Sequence, residues 1–74
     1  MKKVYRLRNG ITVQAGGLWS VKILSVPEEY DGYFKVGRMV ALMINDDCSE
    51  DPLTWTGGIH GKDYDVIEEV KNDK

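Results

Sequence analysis

The sequence predicts an all-β protein, folded as a small antiparallel barrel or a rolled five-stranded sheet. Eight glycines interrupt short apolar runs, apolar and polar residues alternate within several of these runs, and no segment carries a long helical stripe. With 74 residues, the chain is near the lower size limit for a domain with one core. We therefore expect one domain over residues 1–70 and a frayed tail over residues 71–74.

The first 15 residues predict a β-hairpin. A two-residue loop at Asn9-Gly10 would place apolar residues opposite polar ones. A three-residue loop that ends with Gly10 in the left-handed conformation, as a G1 bulge, shifts the register by one residue and separates the two faces. The predicted register pairs Leu7 with Ile11, Tyr5 with Val13 and, on the opposite face, Arg6 with Thr12.

Two further apolar stretches predict strands. The stretch 18–26 places Trp19, Val21 and Ile23 on one face and is ended by Pro27. The stretch 33–45 has apolar residues at both parities, with Phe34 and Val36 at one of them, which predicts a central strand covered on both faces. The predicted core consists of Trp19, Val21, Ile23, Val40, Leu42 and Ile44.

The last third of the chain is less regular. Leu53, Trp55 and Gly57 alternate with two threonines, as in a strand, and residues 58–62 predict a turn. Residues 63–70 fit either a helical stripe or a closing strand, and a strand entered by a short helical turn is the favoured interpretation.

One stretch resembles a known fold family. The run Val36-Gly37-Arg38-Met39-Val40, followed by an acidic loop and Trp55, is similar to the pattern of SH3-like barrels. The resemblance covers roughly the C-terminal half of the chain and rests on hydrophobic spacing and glycine placement. It implies a small SH3-like barrel and identifies no particular family within that fold.

No residue pattern predicts a metal or cofactor site. The only cysteine, Cys48, excludes an intramolecular disulfide and a cysteine zinc cluster. Residues 45–51 alternate oxygen ligands as a calcium loop does, but Glu50 occupies the glycine position and Thr56 the position of the bidentate glutamate. Residues 56–63 resemble a phosphate-binding loop, yet Thr56 replaces its first glycine and Asp63 its hydroxyl residue.

Catalysis is equally unsupported. His60 is the only histidine, and no serine or threonine stands in a recognisable arrangement with it. The carboxylate pairs Glu28-Glu29 and Glu68-Glu69 are adjacent in sequence, so they cannot face each other across a cleft from one strand. We therefore expect no catalytic residues and a protein that is not an enzyme.

The distribution of charge is the feature that indicates a partner. The formal net charge is only −2, but residues 1–27 carry basic side chains and no acidic one, whereas residues 45–51 are rich in carboxylates. The predicted partner-binding site is the acidic loop, formed by Asp46, Asp47, Glu50 and Asp51. The alternative is a basic sheet face for nucleic acid, formed by Arg6, Arg8 and Lys22.

These features predict a small interaction or regulatory module with a macromolecular partner, a protein in preference to a nucleic acid. If the acidic loop lies away from the basic face, the charge split gives a dipole that steers the partner; if the loop folds over that face, the charges neutralise one another. No run approaches the roughly 18 apolar residues of a membrane span. Basic residues interrupt any signal-peptide stretch, so a cytoplasmic location is expected.

Overall fold

Five antiparallel strands in one sheet form the framework of the computed structural model, which describes residues 3–17, 19–42 and 50–71. Their order across the sheet is β4-β3-β2-β1-β5. The all-β prediction is confirmed, but the sheet is open, with β4 and β5 at its edges, so a closed barrel is not seen in the described residues. The strands are β1 (Val4–Leu7), β2 (Thr12–Gly17), β3 (Ser20–Ser25), β4 (Met39–Ala41) and β5 (Val66–Val70).

The β1–β2 hairpin has the predicted register. Tyr5 pairs with Val13 and Arg6 with Thr12, and the Gly10 N–H donates to the Leu7 carbonyl at 2.9 Å. Gly10 has φ +96°, a conformation that costs an L-residue with a side chain energy and that glycine adopts freely. The bulged turn therefore fixes which face of the hairpin is apolar.

The core lies on one face of the sheet. The inward residues of β1, β2 and β3 alternate with outward polar ones, as the two-residue period of a strand requires. Val21, Ile23 and Leu42 are confirmed as core residues, and Val40 packs against the core in a partly buried position, whereas Ile44 lies outside the described residues. The buried set is Tyr5, Leu7, Ile11, Val13, Val21, Ile23, Phe34, Leu42, Trp55 and Val66.

The prediction that Trp19 belongs to the core is wrong. Its side chain is 37% exposed, and its backbone has φ +60°. Because Gly17 pairs with Ser20, Trp19 lies in the turn between β2 and β3 and not within the strand. Because the backbone at Trp19 is left-handed, this residue does not follow the strand alternation in which Val21 is the first buried residue.

The prediction of a central strand over residues 33–45 is wrong for residues 33–42, and residues 43–45 lie outside the described residues. Within residues 33–42, only Met39–Ala41 form a strand, and that strand is at the edge of the described sheet. Gly37 has φ +90°, and the Arg38 N–H donates to the Lys35 carbonyl at 3.1 Å, so a turn interrupts the extended backbone. Phe34 is buried before this turn, while Val36 is exposed within it.

The C-terminal segment combines short helices with a strand. The alternation predicted for residues 53–57 is wrong, because Pro52–Thr54 form a 3-10 helix that leaves Leu53 exposed. Further 3-10 helices follow at Gly58–His60 and Lys62–Tyr64. The last of them leads into β5, which confirms the strand entered by a helical turn. Residues 72–74 of the predicted tail lie outside the described residues.

Candidate functional site

Half of the predicted acidic site is described. Asp46 and Asp47 lie outside the described residues, whereas Glu50 and Asp51 are exposed. The Asp51 carboxylate accepts a hydrogen bond from the Leu53 N–H at 3.1 Å. The Asp51 carbonyl accepts one from the Thr54 hydroxyl at 2.8 Å. Asp51 therefore caps the helix Pro52–Thr54, and contact of the acidic loop with a partner stays a prediction.

The sheet register places two of the predicted basic residues on the outer face. Arg6 pairs with Thr12, and Lys22 pairs with Gln14 on the neighbouring strand. The Arg6 guanidinium lies 2.7 Å from the Glu68 carboxylate of β5, and Arg8 lies 3.8 Å from Asp65. Carboxylates within the chain thus compensate both arginines, which weakens the positive potential of this face.

Uncompensated positive charge lies towards β4. Lys22, Lys35 and Arg38 form no ion pair with any residue in the ranges 3–17, 19–42 and 50–71. Lys22 pairs across the sheet with Met39 of β4. Lys35 and Arg38 stand in the turn that leads into the same strand. Two of these cations therefore lie just before β4, and the third lies on β3 opposite Met39.

A groove of about 260 Å³ lies beside β4. Large apolar side chains are exposed along this part of the chain: Tyr33 is 72% exposed, Val36 59% and Met39 54%. Clusters of exposed apolar side chains on a small protein mark interaction surfaces. The groove is lined by Tyr33, Lys35, Arg38, Met39 and Val40.

An aromatic cluster lies next to Tyr33, one of the residues that line the groove. The hydroxyls of Tyr30 and Tyr64 are 2.5 Å apart, and the Phe34 N–H donates to the Tyr30 hydroxyl at 3.1 Å. The buried Phe34 ring packs against the rings of Tyr64 and His60, with centroids 4.6 and 4.9 Å apart. Tyr33 in turn stacks on His60 at an interplanar angle of 15°. The exposed Tyr33 therefore lies beside a partly buried cluster in which Tyr30, Tyr64 and Phe34 are hydrogen-bonded to one another.

Tyr64 is a structural member of this cluster. Burial, followed by its hydrogen bond with Tyr30, raises the pKa of Tyr64 from 10.0 to about 12. Because desolvation and the hydrogen bond both favour the neutral phenol, the group stays protonated near neutral pH. Its raised pKa reflects packing and offers no acid or base for catalysis near neutral pH.

The glycine-rich segment around residue 57 is internally satisfied. The Gly57 N–H donates to the Asp65 carboxylate at 2.9 Å, and Asp65 also faces Arg8. A Cβ at Gly57 would overlap the Gly61 carbonyl and the Tyr64 Cβ. The Asp65 carboxylate therefore accepts the hydrogen bond of an N–H group in the segment 56–63, which resembles a phosphate-binding loop.

The two edges of the sheet differ in their backbone partners. At β5, the Val66 N–H donates outward to the Trp55 carbonyl at 3.2 Å. At β4, the bonds to β3 run from the Ile23 N–H to the Arg38 carbonyl and from the Leu42 N–H to the Trp19 carbonyl. In an antiparallel ladder the intervening residues Met39 and Ala41 point their N–H and C=O groups away from β3. No strand lies beyond them in the part of the chain that the structure describes.

Comparison with known proteins gives no match: no family model, no curated protein and no solved structure is significantly similar to this chain. Among the described residues, no group of three or more histidine, cysteine or acidic side chains is placed to hold a metal ion. No helix formed by these residues is long and apolar enough to span a membrane. Function must therefore be inferred from the surface of this chain itself.

The groove residues were not among the predicted site residues. The expectation of a strand covered on both faces placed Val36, Met39 and their neighbours in the interior. A signal against that expectation was present, because Lys35 and Arg38 would have been buried without partners in such a strand. Two cations within an apolar run indicate a surface segment, and Gly37 between them indicates a turn.

Proposed function

We propose that the protein is a non-enzymatic interaction module that binds a protein partner through the β4 surface, defined as Tyr33, Lys35, Val36, Arg38 and Met39. The observation that carries the proposal is a groove lined by the exposed Tyr33 and Met39 and by Lys35 and Arg38, two cations that form no ion pair with the residues that the structure describes. Tyrosine, methionine and arginine are enriched in protein interfaces, where they supply buried area at the centre of the contact.

The packing of Tyr33 and Phe34 supports this choice of surface. Binding orders side chains and loops at a cost of about 0.5–1.5 kcal/mol for each immobilised flexible side chain. Here, Tyr33 already stacks on His60, and Phe34 fixes the loop in the core. The ring of Tyr33 therefore already lies beside an aromatic neighbour, while 72% of the residue is open to a partner.

The acidic loop stays within the proposal as a second, electrostatic contact. Its argument comes from sequence: Asp46, Asp47, Glu50 and Asp51 follow β4 closely, and their charge is opposite to that of Lys35 and Arg38. Such a division of charge accelerates encounter with a partner of complementary charge, at low salt more than at high salt. Neutralising the four carboxylates together is expected to slow association at low salt far more than at high salt.

The decisive experiment is an affinity capture from the native host with the tagged protein, with and without nuclease. The double variant Tyr33→Ser/Met39→Ser removes two exposed apolar side chains of the β4 surface. Leu53→Ser/Ile67→Ser is the matched control, since both residues are also exposed but lie in the 3-10 helix Pro52–Thr54 and in β5. We expect the β4 variant to lose a nuclease-resistant partner by about tenfold or more, and the control to retain it.

Two outcomes would contradict the proposal. Equal capture by the two double variants would show that the β4 surface is not the interface. Nuclease-sensitive capture that depends on Arg6, Arg8 and Lys22 would favour the nucleic-acid alternative, whose affinity should fall steeply with added salt. The pairing of Arg6 with Glu68 and of Arg8 with Asp65 argues against this alternative.

A further inference from the structure

We infer that the partner segment is an extended acidic peptide that adds to the open edge of β4 as a sixth strand. This inference rests on the proposed function, because it names the kind of partner that the β4 surface would bind. Strand addition of this kind combines main-chain hydrogen bonds, which give affinity, with contacts of alternate side chains, which give specificity.

The backbone of β4 supplies the hydrogen-bonding groups. Pairing of Val21 with Val40, together with the bonds at Arg38 and Leu42, directs the amide groups of Met39 and Ala41 outward. An incoming strand can therefore exchange hydrogen bonds with both residues without breaking the ladder to β3. At the opposite edge, the first residue of β5 is not available to an added strand, because the Val66 N–H already donates to the Trp55 carbonyl.

Charge complementarity selects an acidic occupant. Lys35 and Arg38 line the groove, and Lys22 is the cross-strand neighbour of Met39. Glutamate or aspartate side chains on an added strand would lie close to these cations. A second copy of the chain paired edge to edge through β4 would instead bring the same cations of both copies together, and like charges at close range are destabilising.

The groove can bind the side chains of the added strand that do not face the cations. Successive side chains of a strand point to opposite faces of the sheet, so a peptide that alternates apolar and acidic residues can present each type to one side. The exposed Tyr33 and Met39 side chains offer apolar contact beside the charged groups. The predicted ligand is thus extended, acidic and partly apolar.

The test uses defined peptide probes and the full chain. A fluorescein-labelled octapeptide of alternating valine and glutamate is titrated with the protein at low salt, and an octapeptide of alternating valine and lysine is the charge control. Two further glutamate peptides carry N-methyl groups on all odd or all even residues. We expect saturable binding of the glutamate peptide, at least tenfold weaker binding of the lysine peptide, and loss of binding for one N-methylated peptide only.

Protein variants provide the complementary test. Lys35→Glu/Arg38→Glu should reverse the preference, so that the lysine peptide binds more tightly than the glutamate peptide. The matched control is Lys3→Glu/Lys71→Glu, which makes the same charge change beside β1 and β5 and should leave the preference unchanged. Amide exchange of Met39 and Ala41 should slow at least tenfold when the glutamate peptide is bound.

Several results would overturn strand addition. They are the absence of saturable binding at about 1 mM peptide, equal effects of the two N-methylation patterns, and unchanged exchange at Met39 and Ala41. Slow exchange of these two amides in the free monomer would instead indicate that another segment closes the sheet as the SH3-like resemblance implies, and slow exchange only in a dimer would indicate a second copy. If capture of a host protein still depends on Tyr33 and Met39, the proposed function stands while the strand-addition mechanism falls.

Discussion

The two edges of the sheet are built from strands of similar kind, yet they meet different surroundings. β5 borders the segment 52–65, which bonds to it through Trp55 and places a buried indole against the core. β4 borders a groove, with exposed Met39 and Tyr33 and with Lys35 and Arg38 beside it. An open strand edge is a template for pairing, and natural proteins cover it, charge it or use it.

The difference shows that the contacts near β5 are made within the chain, whereas the groups near β4 remain exposed to solvent. On the β5 side, the Val66 N–H donates to the Trp55 carbonyl, and the exposed Arg6–Glu68 pair links β1 to β5 on the outer face. Exposed apolar side chains occur near both edges, and those of Tyr33 and Met39 near β4 line a groove together with Lys35 and Arg38. If the β4 surface binds as proposed, the positive charge beside it disfavours pairing between identical copies and favours an acidic segment.

The largest expected effect concerns Leu42, the buried residue that follows β4. Leu42→Ala should lower the free energy of unfolding by about 2–5 kcal/mol, because the truncation loses apolar burial and leaves a cavity. Met39→Ala, on the exposed side of the same strand, should change it by less than about 1 kcal/mol. Urea unfolding of both variants checks the contrast, and equal costs would show that β4 is not anchored by one face.

A second effect tests the cover of the β5 edge. Gly57→Ala should destabilise the protein by about 1–3 kcal/mol, since the new methyl would overlap the Gly61 carbonyl and the Tyr64 Cβ. Gly17→Ala is the control, because its nearest neighbour is the Ser20 hydroxyl at 3.2 Å. Thermal unfolding of the two variants separates steric overlap from the general effect of replacing glycine. A Gly57→Ala variant as stable as the control would contradict the close packing of this segment.

The hairpin turn gives a third, smaller effect. The turn docks on the β5 side through the N–H groups of Arg8 and Asn9, which donate to the Asp65 and Asp63 carbonyls at 2.9 and 2.8 Å. Gly10→Val should cost roughly 1 kcal/mol or more, because a β-branched residue is strained at positive φ. Gly10→Asn should cost less, since asparagine tolerates this conformation. Equal costs in urea unfolding would attribute the loss to the nearby Pro27 ring, which lies 3.0 Å from the position that a Cβ at residue 10 would take.

The smallest effect is the loss of stability above about pH 10 that the ionisation of Tyr64 causes. The pKa of Tyr64 is raised in the folded state from 10.0 to about 12 by burial and by Tyr30, so the protonated phenol contributes stability below pH 10. That contribution is lost as the pH rises from about 10 to about 12. Burial also raises the pKa of Tyr5, and this group is unchanged in Tyr64→Phe. Wild type should therefore lose more stability than the variant between about pH 10 and pH 12, and parallel losses would contradict the assignment.

Much of the regular sheet could be predicted from the sequence. The register of the β1–β2 hairpin followed from Gly10 and from alternation, because only one pairing puts Leu7 and Ile11 on the same face. The strand after a helical turn at the C-terminal end also followed from pattern. In these segments the local backbone preference and the burial of one face agree.

The candidate site could not be predicted in the same way. Lys35, Gly37 and Arg38 indicate a turn at the surface within residues 33–42, but the edge position of β4 depends on its pairing with β3, which local sequence does not reveal. Tyr30 and Tyr64, whose hydroxyls are hydrogen-bonded in the aromatic cluster next to Tyr33, are 34 residues apart. Trp19 shows the same limit, since a turn conformation, and not its hydrophobicity, determined its exposure.

The position of β1 has a consequence for how the chain is made. β1 lies between β2 and β5, and its Arg6 is bonded to Glu68, 62 residues later. Closing so long a loop costs entropy before the contact returns any energy, and pairings of this kind fold slowly. During synthesis, the hairpin and β3 can assemble while one edge of β1 is still bare, until residue 70 leaves the ribosome. The nascent chain therefore passes through an interval in which chaperones, or a neighbouring nascent chain, compete with β5 for that edge.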